Sequence, residues 1–246
     1  MTTLAIASLA GLFLLAAMLY SSVGHAGASG YIAVMALFSL SPAVMRPTAL
    51  SLNILVAVVA TYKFYRAGRF SFDLFWPFAI TSIPAAFIGG ALTLPARWYD
   101  TIVGIALLYA AVWMFRSAKT AAKVLVHPPP LAAALTCGLV IGLLSGLTGV
   151  GGGIFLSPLI LMMGWAETRA TSGVAAAFIL VNSIAGLLGH LSSISNLPAA
   201  LPIWGVAVVI GGWIGAEYGS RKLATPVLRQ LLSAVLVIAG LKMIFA

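Results

Sequence analysis

Recurrent apolar runs decide what this chain can fold into. Stretches of about 18 or more residues with few charges follow one another from Thr3 to Phe245, and runs of that length read as transmembrane helices. Only 7% of the residues are charged, against roughly a quarter in a soluble domain. The chain is therefore expected to be all-α and polytopic in a membrane, with no soluble domain left once the runs are removed. The net charge of +9 is carried at segment ends, where it sets orientation and meets anionic lipid, so no nucleic-acid partner is expected. A single cysteine, Cys137, excludes an intrachain disulfide and a multi-thiol metal site.

Two glycine-rich stretches interrupt the apolar sequence. One is Gly24-His25-Ala26-Gly27-Ala28-Ser29-Gly30, and the other is Thr148-Gly149-Val150-Gly151-Gly152-Gly153. Non-helical backbone at bilayer depth must be buried in protein or line a wet cavity. A pair of such breaks at matching positions marks the substrate site of a transporter.

In order, the expected segments are Thr3 to about Tyr20, the break over 21–30, Tyr31–Leu40, about Pro47 to Phe64, Asp73–Leu94 and Trp98–Phe115. A polar link over 117–130 ends in His127-Pro128-Pro129-Pro130. Then come Leu131 to about Leu144, the second break, Ile154–Met163, Arg169–His190, Ala199–Tyr218 and Val227–Phe245. With each glycine-broken pair counted as one, this gives seven or eight apolar helical segments. Residues 3–20 resemble a leader, but a related segment recurs at 131–144, so they are taken as part of the fold.

The order of segments repeats. A shift of 123 residues lays Ser22 on Ser145, Gly30 on Gly153, Arg46 on Arg169 and Thr48 on Thr171. This divides a single membrane domain into an N-terminal repeat, 1–116, and a C-terminal repeat, 131–246. Charge then separates two topologies. If every segment crosses once, the Lys and Arg residues fall 7 to one side and 6 to the other. If each break turns the chain back as a re-entrant hairpin, the split is 10 to 3, as the positive-inside rule requires. The expected fold is thus two inverted-repeat halves, each a glycine-broken re-entrant hairpin plus three transmembrane helices, with both termini outside. The first segment is long enough to cross, which leaves an uneven arrangement of seven spans open.

Helix N-termini at the breaks carry partial positive charge and unpaired N–H groups that suit an anion. Candidate substrate contacts in the first half are Ser22, His25, Gly27, Ser29, Gly30 and Asn53. In the second half they are Ser145, Thr148, Gly149, Gly151, Gly152, Gly153, Thr171, Ser172 and Asn182. His25 is the only ionisable side chain in either break and can donate to an anion, carry a proton or bond a carbonyl. Thr48, Ser51, Thr171 and Ser172 cap the following spans or face the site. Arg46 and Arg169 stand where two vestibules or two lipid-headgroup contacts would be. Gly89, Gly90, Gly211, Gly212 and Gly215 read as helix-packing positions. Asp73, Asp100, Glu167 and Glu217 all lie near segment ends, which argues against a cation site or carboxylate relay. No cofactor, no metal and no enzymatic nucleophile–base pair is expected.

The run Gly142-Leu143-Leu144-Ser145-Gly146-Leu147-Thr148-Gly149-Val150-Gly151-Gly152-Gly153, followed by Pro158, Arg169-Ala170-Thr171-Ser172-Gly173 and Asn182-Ser183-Ile184-Ala185-Gly186, resembles the TauE/SafE family of sulfite exporters. The first half departs from the family pattern, with Gly24–Gly30 in place of a glycine triplet. The resemblance implies a multi-pass permease of the bacterial inner membrane for sulfite or an organosulfonate such as sulfoacetate. The expectation is a secondary transporter working by alternating access, coupled to a proton or sodium ion still to be identified. A passive anion channel, or a membrane-embedded enzyme or sulfur carrier, stands as the alternative. The oligomeric state stays open, a homodimer included.

Overall fold

A computed structural model of the chain describes residues 2–117, 126–191, 197–221, 236–238 and 240–245. These residues form helices joined by short turns: α1 (Thr3–Ser21), α2 (Ala28–Leu37), α3 (Pro42–Arg66), α4 (Phe72–Ala91), α5 (Ala96–Ser117), α6 (Leu131–Thr148), α7 (Gly153–Met162), α8 (Thr168–Gly189) and α9 (Leu201–Arg221). A further helical piece lies within Leu236–Phe245. Lys119, Lys123, Lys222 and Arg229, most of the expected span from Val227 and residues 118–125 of the link lie outside the described residues. The protein is an all-helical polytopic membrane protein. Six helices, α1, α3, α4, α6, α8 and α9, are long and apolar enough to cross a membrane.

Several boundaries differ from the sequence expectation. The span expected from Pro47 starts at Pro42. Proline at the first helical position loses no hydrogen bond, because that N–H has no intrahelical acceptor. Pro47 is carried inside the helix, where Ser51 Oγ donates to its carbonyl at 2.8 Å. Helix α6 continues past Leu144 to Thr148, and Gly149, at φ 79°, ends it. Helix α2 begins at Ala28 rather than Tyr31 because Gly27, at φ 109°, can take the left-handed conformation immediately before it.

After each break the chain folds back. Phe13 and Tyr31 meet edge to face at 5.4 Å, and Ser29 Oγ donates to Tyr20 Oη at 2.9 Å, so α2 runs back along α1. The His127 N–H donates to Gly164 O at 3.1 Å, which puts the entry to α6 beside the exit from α7. The limbs are unequal. Helices α1 and α6 have 19 and 18 residues, whereas α2 and α7 have 10 each, about half a crossing at 1.5 Å per residue.

Glycine sets which helices touch. Gly138, Gly142 and Gly146 of α6 lie against the backbone of Phe78, Ser82 and Ala86 of α4. Gly211, Gly215 and Gly219 of α9 lie in the same way against Leu14, Met18 and Ser22, at the C-terminal end of α1. Each series advances by four residues on both helices, so each pair runs in the same direction, with no side chain between the backbones. Gly89, Gly90 and Gly212 also pack closely against neighbouring helices. Helix α8 continues the α4–α6 layer in the same direction. Gly186 meets Gly146 and Ala86, and His190 Nδ1 lies 3.1 Å from Gly90 O. Helix α3 crosses α8 in the opposite direction, because Leu50 lies near Gly186 and Asn53 bonds Ser183. Along α9, Lys63 pairs with Glu217 and lies 3.8 Å from the centroid of the Trp213 ring.

A side chain at Gly215 would drive into the Met18 carbonyl, where only backbone can give. Gly215→Val is expected to destabilise the fold by at least about 1–3 kcal/mol. Thermal unfolding in detergent measures this, with Gly11→Val as the comparison, because nothing lies within 4 Å of a Cβ at Gly11.

Candidate functional site

Both breaks hold their shape through glycines in the left-handed region. In the first these are Gly24 and Gly27, and in the second Gly149, Gly151 and Gly152. Gly27 and Gly152 are the residues preceding α2 and α7, and neither offers a side chain to cap its helix. The first-turn N–H groups of both helices therefore depend on outside partners.

The two breaks meet. His25 Nε2 lies 3.0 Å from Gly153 O and 3.1 Å from Ser157 Oγ. A carbonyl can only accept, so Nε2 carries the proton and donates to Gly153. The ring sits between Tyr20 and Trp113, with centroids 6.4 and 6.3 Å away. Asn53, on α3, ties the same two stretches together. Its Oδ1 accepts from Ala28 N at 3.0 Å, and its Nδ2 donates to Val150 O at 3.4 Å and Ser183 Oγ at 3.3 Å. Gly151 is needed here, because a Cβ would strike Asn53 Nδ2.

Arg46 closes one side of the second break. It is only 4% exposed, and its guanidinium donates to Gly89 O, Gly90 O, Leu92 O and Gly146 O at 2.6–3.1 Å. These carbonyls belong to the last turns of α4 and α6, where a cation offsets the negative end of the helix dipole. Its alkyl chain packs on Gly149. Arg169, its counterpart in sequence, is half-exposed, so the two arginines occupy unlike surroundings.

The remaining candidates divide. Thr148 Oγ1 turns back to Leu144 O and accepts from Val150 N, bracing the second break from within. Ser145 is buried beside Gly152. Gly30 packs on Tyr20 and Ala16. Ser22 Oγ donates to Leu19 O, away from the junction. Thr171 and Ser172 do not cap α8. Their hydroxyls bond the carbonyls of Glu167 and Thr168, and the Ser172 backbone packs on Gly24. Thr48 and Asn182 are buried, and Asn182 Nδ2 donates to Phe178 O one turn earlier on α8.

Sequence reading missed Tyr20, Tyr31, Tyr99 and Ser183. Ser29 bonds Tyr20 Oη, while Tyr31 Oη donates to Ala26 O and Tyr99 Oη to Thr148 O. A polar-tipped aromatic beside a break is the signal that would have found two of them, Tyr20 and Tyr31.

A polytopic helical protein whose core is two broken helices tied together at buried polar residues has the architecture of a membrane transporter. The model of the family described as "Sulfite exporter TauE/SafE" matches residues 9–243, and the chain belongs to that family. It is 46% identical over 236 residues to "Probable membrane transporter protein y4hK" of Sinorhizobium fredii, covering 95% of this chain and 96% of that one. It is 29% identical over 153 residues to "Probable membrane transporter protein MJ0441" of Methanocaldococcus jannaschii, covering 58% and 56% of the two chains. No solved structure matches the chain.

Arg46→Ala would strand several buried carbonyls, while Arg46→Lys keeps the charge and satisfies fewer of them. Thermal stability in detergent is expected to fall in the order wild type, Lys, Ala, with the Ala variant losing about 3–5 kcal/mol or more. Equal midpoints for all three would remove Arg46 as the strap of α4 and α6.

Proposed function

We propose that the protein is a secondary transporter that exports a small sulfur-containing anion, such as sulfite or an organosulfonate, across the bacterial inner membrane by alternating access. The observation that carries this reading is the meeting of the two breaks at His25, Gly153 and Asn53, where the N-termini of two short helices come together inside the protein. Helix N-termini bind anions without a buried lysine or arginine. The acidic residues among those described lie near helix ends, which fits an anionic substrate better than a cation. The family name supports the sulfur chemistry.

The packing supports two related halves, 1–116 and 131–246, joined by the link. Helix α1 pairs with α9 as α6 pairs with α4, and α3 touches α9 as α8 touches α4. Helices α3 and α8 hold equivalent places in this exchange and run in opposite directions, which supports an inverted relation. In such a protein the halves rock about a fixed central site. His25 spans both breaks, and so is the residue through which a coupled proton would act on the site. The partners of this reading are the anion, the bilayer and a coupling ion.

Counterflow in proteoliposomes tests the proposal. Vesicles loaded with unlabelled sulfite are expected to accumulate labelled sulfite transiently, with sulfoacetate competing and chloride not. Downhill leak without accumulation would indicate a channel, and no flux of any of these anions would remove the substrate class. Gly152→Val is expected to abolish flux while leaving membrane insertion intact, because a Cβ there meets Phe178, Ile141 and Ser145. Normal flux in that variant would take the site away from the second break.

A further inference from the structure

The two helix N-termini are not equally available. At α2, Asn53 Oδ1 already accepts from the first-turn N–H of Ala28, so a side chain of the protein stands where an anion's oxygen would sit. At α7, which has 10 residues, no side chain caps the start. Ser145, fully buried, stands beside that start, its Cβ 3.3 Å from where a Cβ on Gly152 would be. Its hydroxyl has no hydrogen-bond partner.

A second orphan lies close by. Gly146, Ala86 and Gly186 touch, and one turn earlier on their three helices come Gly142, Ser82 and Asn182. Ser82 and Asn182 are fully buried. Asn182 Nδ2 donates to Phe178 O, a group that only accepts, which fixes the amide and leaves Oδ1 without a donor. Phe178 in turn lies against Gly152. The Ser82 hydroxyl has only a long bond of 3.4 Å to Ala79 O. Buried polar atoms left unpaired are costly, and Ser145, beside the start of α7, and Asn182, one turn from the Phe178 that packs there, call for a ligand that pairs them.

We propose that the substrate subsite is one-sided. The N-terminus of α7 with Ser145, Ser82 and Asn182 holds the ligand, while at α2 Asn53 already occupies the first N–H, that of Ala28. The proposal rests on the transport reading above and adds a chemical class. The α7 N–H groups and the serine hydroxyls donate to anionic oxygens. Asn182 Oδ1 can only accept, so it pairs with a hydroxyl on the ligand. The subsite therefore selects an oxyanion that keeps one proton on oxygen over an anion of equal charge that has none, which among the anions proposed above favours hydrogen sulfite and leaves an organosulfonate the weaker ligand.

The test uses the purified full chain in lipid nanodiscs at mildly acidic pH, with hydrogen selenite and methanesulfonate as probes. Both are monoanions, and only the first carries O–H. Hydrogen selenite is expected to bind at least tenfold more tightly. Asn182→Leu is expected to bring the two affinities within a factor of about three, and Ser145→Ala to weaken both. Equal wild-type affinities, or binding of neither probe, would overturn the hydroxyl requirement, and wild-type affinity in Ser145→Ala would overturn the one-sided subsite. If either failure comes with sulfite counterflow that Gly152→Val abolishes, the transport reading survives; loss of the counterflow itself removes that reading.

Discussion

A backbone amide or carbonyl buried away from water must find its partner in the protein, and the two glycine breaks bury many such groups. Most of the structure follows from how they are paired. Gly153 O takes the His25 imidazole, Val150 O and Ala28 N share the Asn53 amide, and Gly146 O takes the Arg46 guanidinium. Each partner comes from a segment far away in sequence. The breaks are therefore held by the tertiary fold in addition to local bonds such as those of Thr148 to Val150 N and of Tyr31 to Ala26 O.

The glycines divide into two kinds by what they do for the backbone. Those of the breaks supply positive φ angles. Those spaced by four along α6 and α9 supply absence, letting one helix lie directly on the carbonyls of another. The first kind shapes the breaks and the second makes a frame around them. Arg46 joins the two, since it binds carbonyls of the α4–α6 seam and packs against Gly149 at the edge of the break.

The sequence carried the helical membrane architecture because run length and apolarity are local properties. It carried the breaks because consecutive glycines stop a helix whatever surrounds them. It did not reveal that Arg46 and Arg169, equal by position, would differ in burial. That difference depends on which helix ends converge on each, and no spacing rule reports convergence. The helix starts were misread at Pro47 for a related reason: Pro42 could serve as the first residue only if the preceding turn brought it into line. Asn53 and Asn182 looked equivalent as polar residues inside spans. One is fully bonded across the junction, whereas the other keeps an unpaired oxygen.

The seams built from Gly138, Gly142 and Gly146 and from Gly211, Gly215 and Gly219 have a mechanical consequence. Two backbones pressed together without side chains cannot slide by a fraction of a turn, because the next register places a larger residue against a carbonyl. Each seam then moves as one beam. The crossing of α3 and α8 is of another kind, since side chains stand between the two backbones there: Leu50 reaches Gly186, Asn53 bonds Ser183 and Ala60 packs with Ala176. The two seams are thus the stiff members of the frame, and the side-chain-filled crossing of α3 and α8 passes beside the place where the two breaks meet.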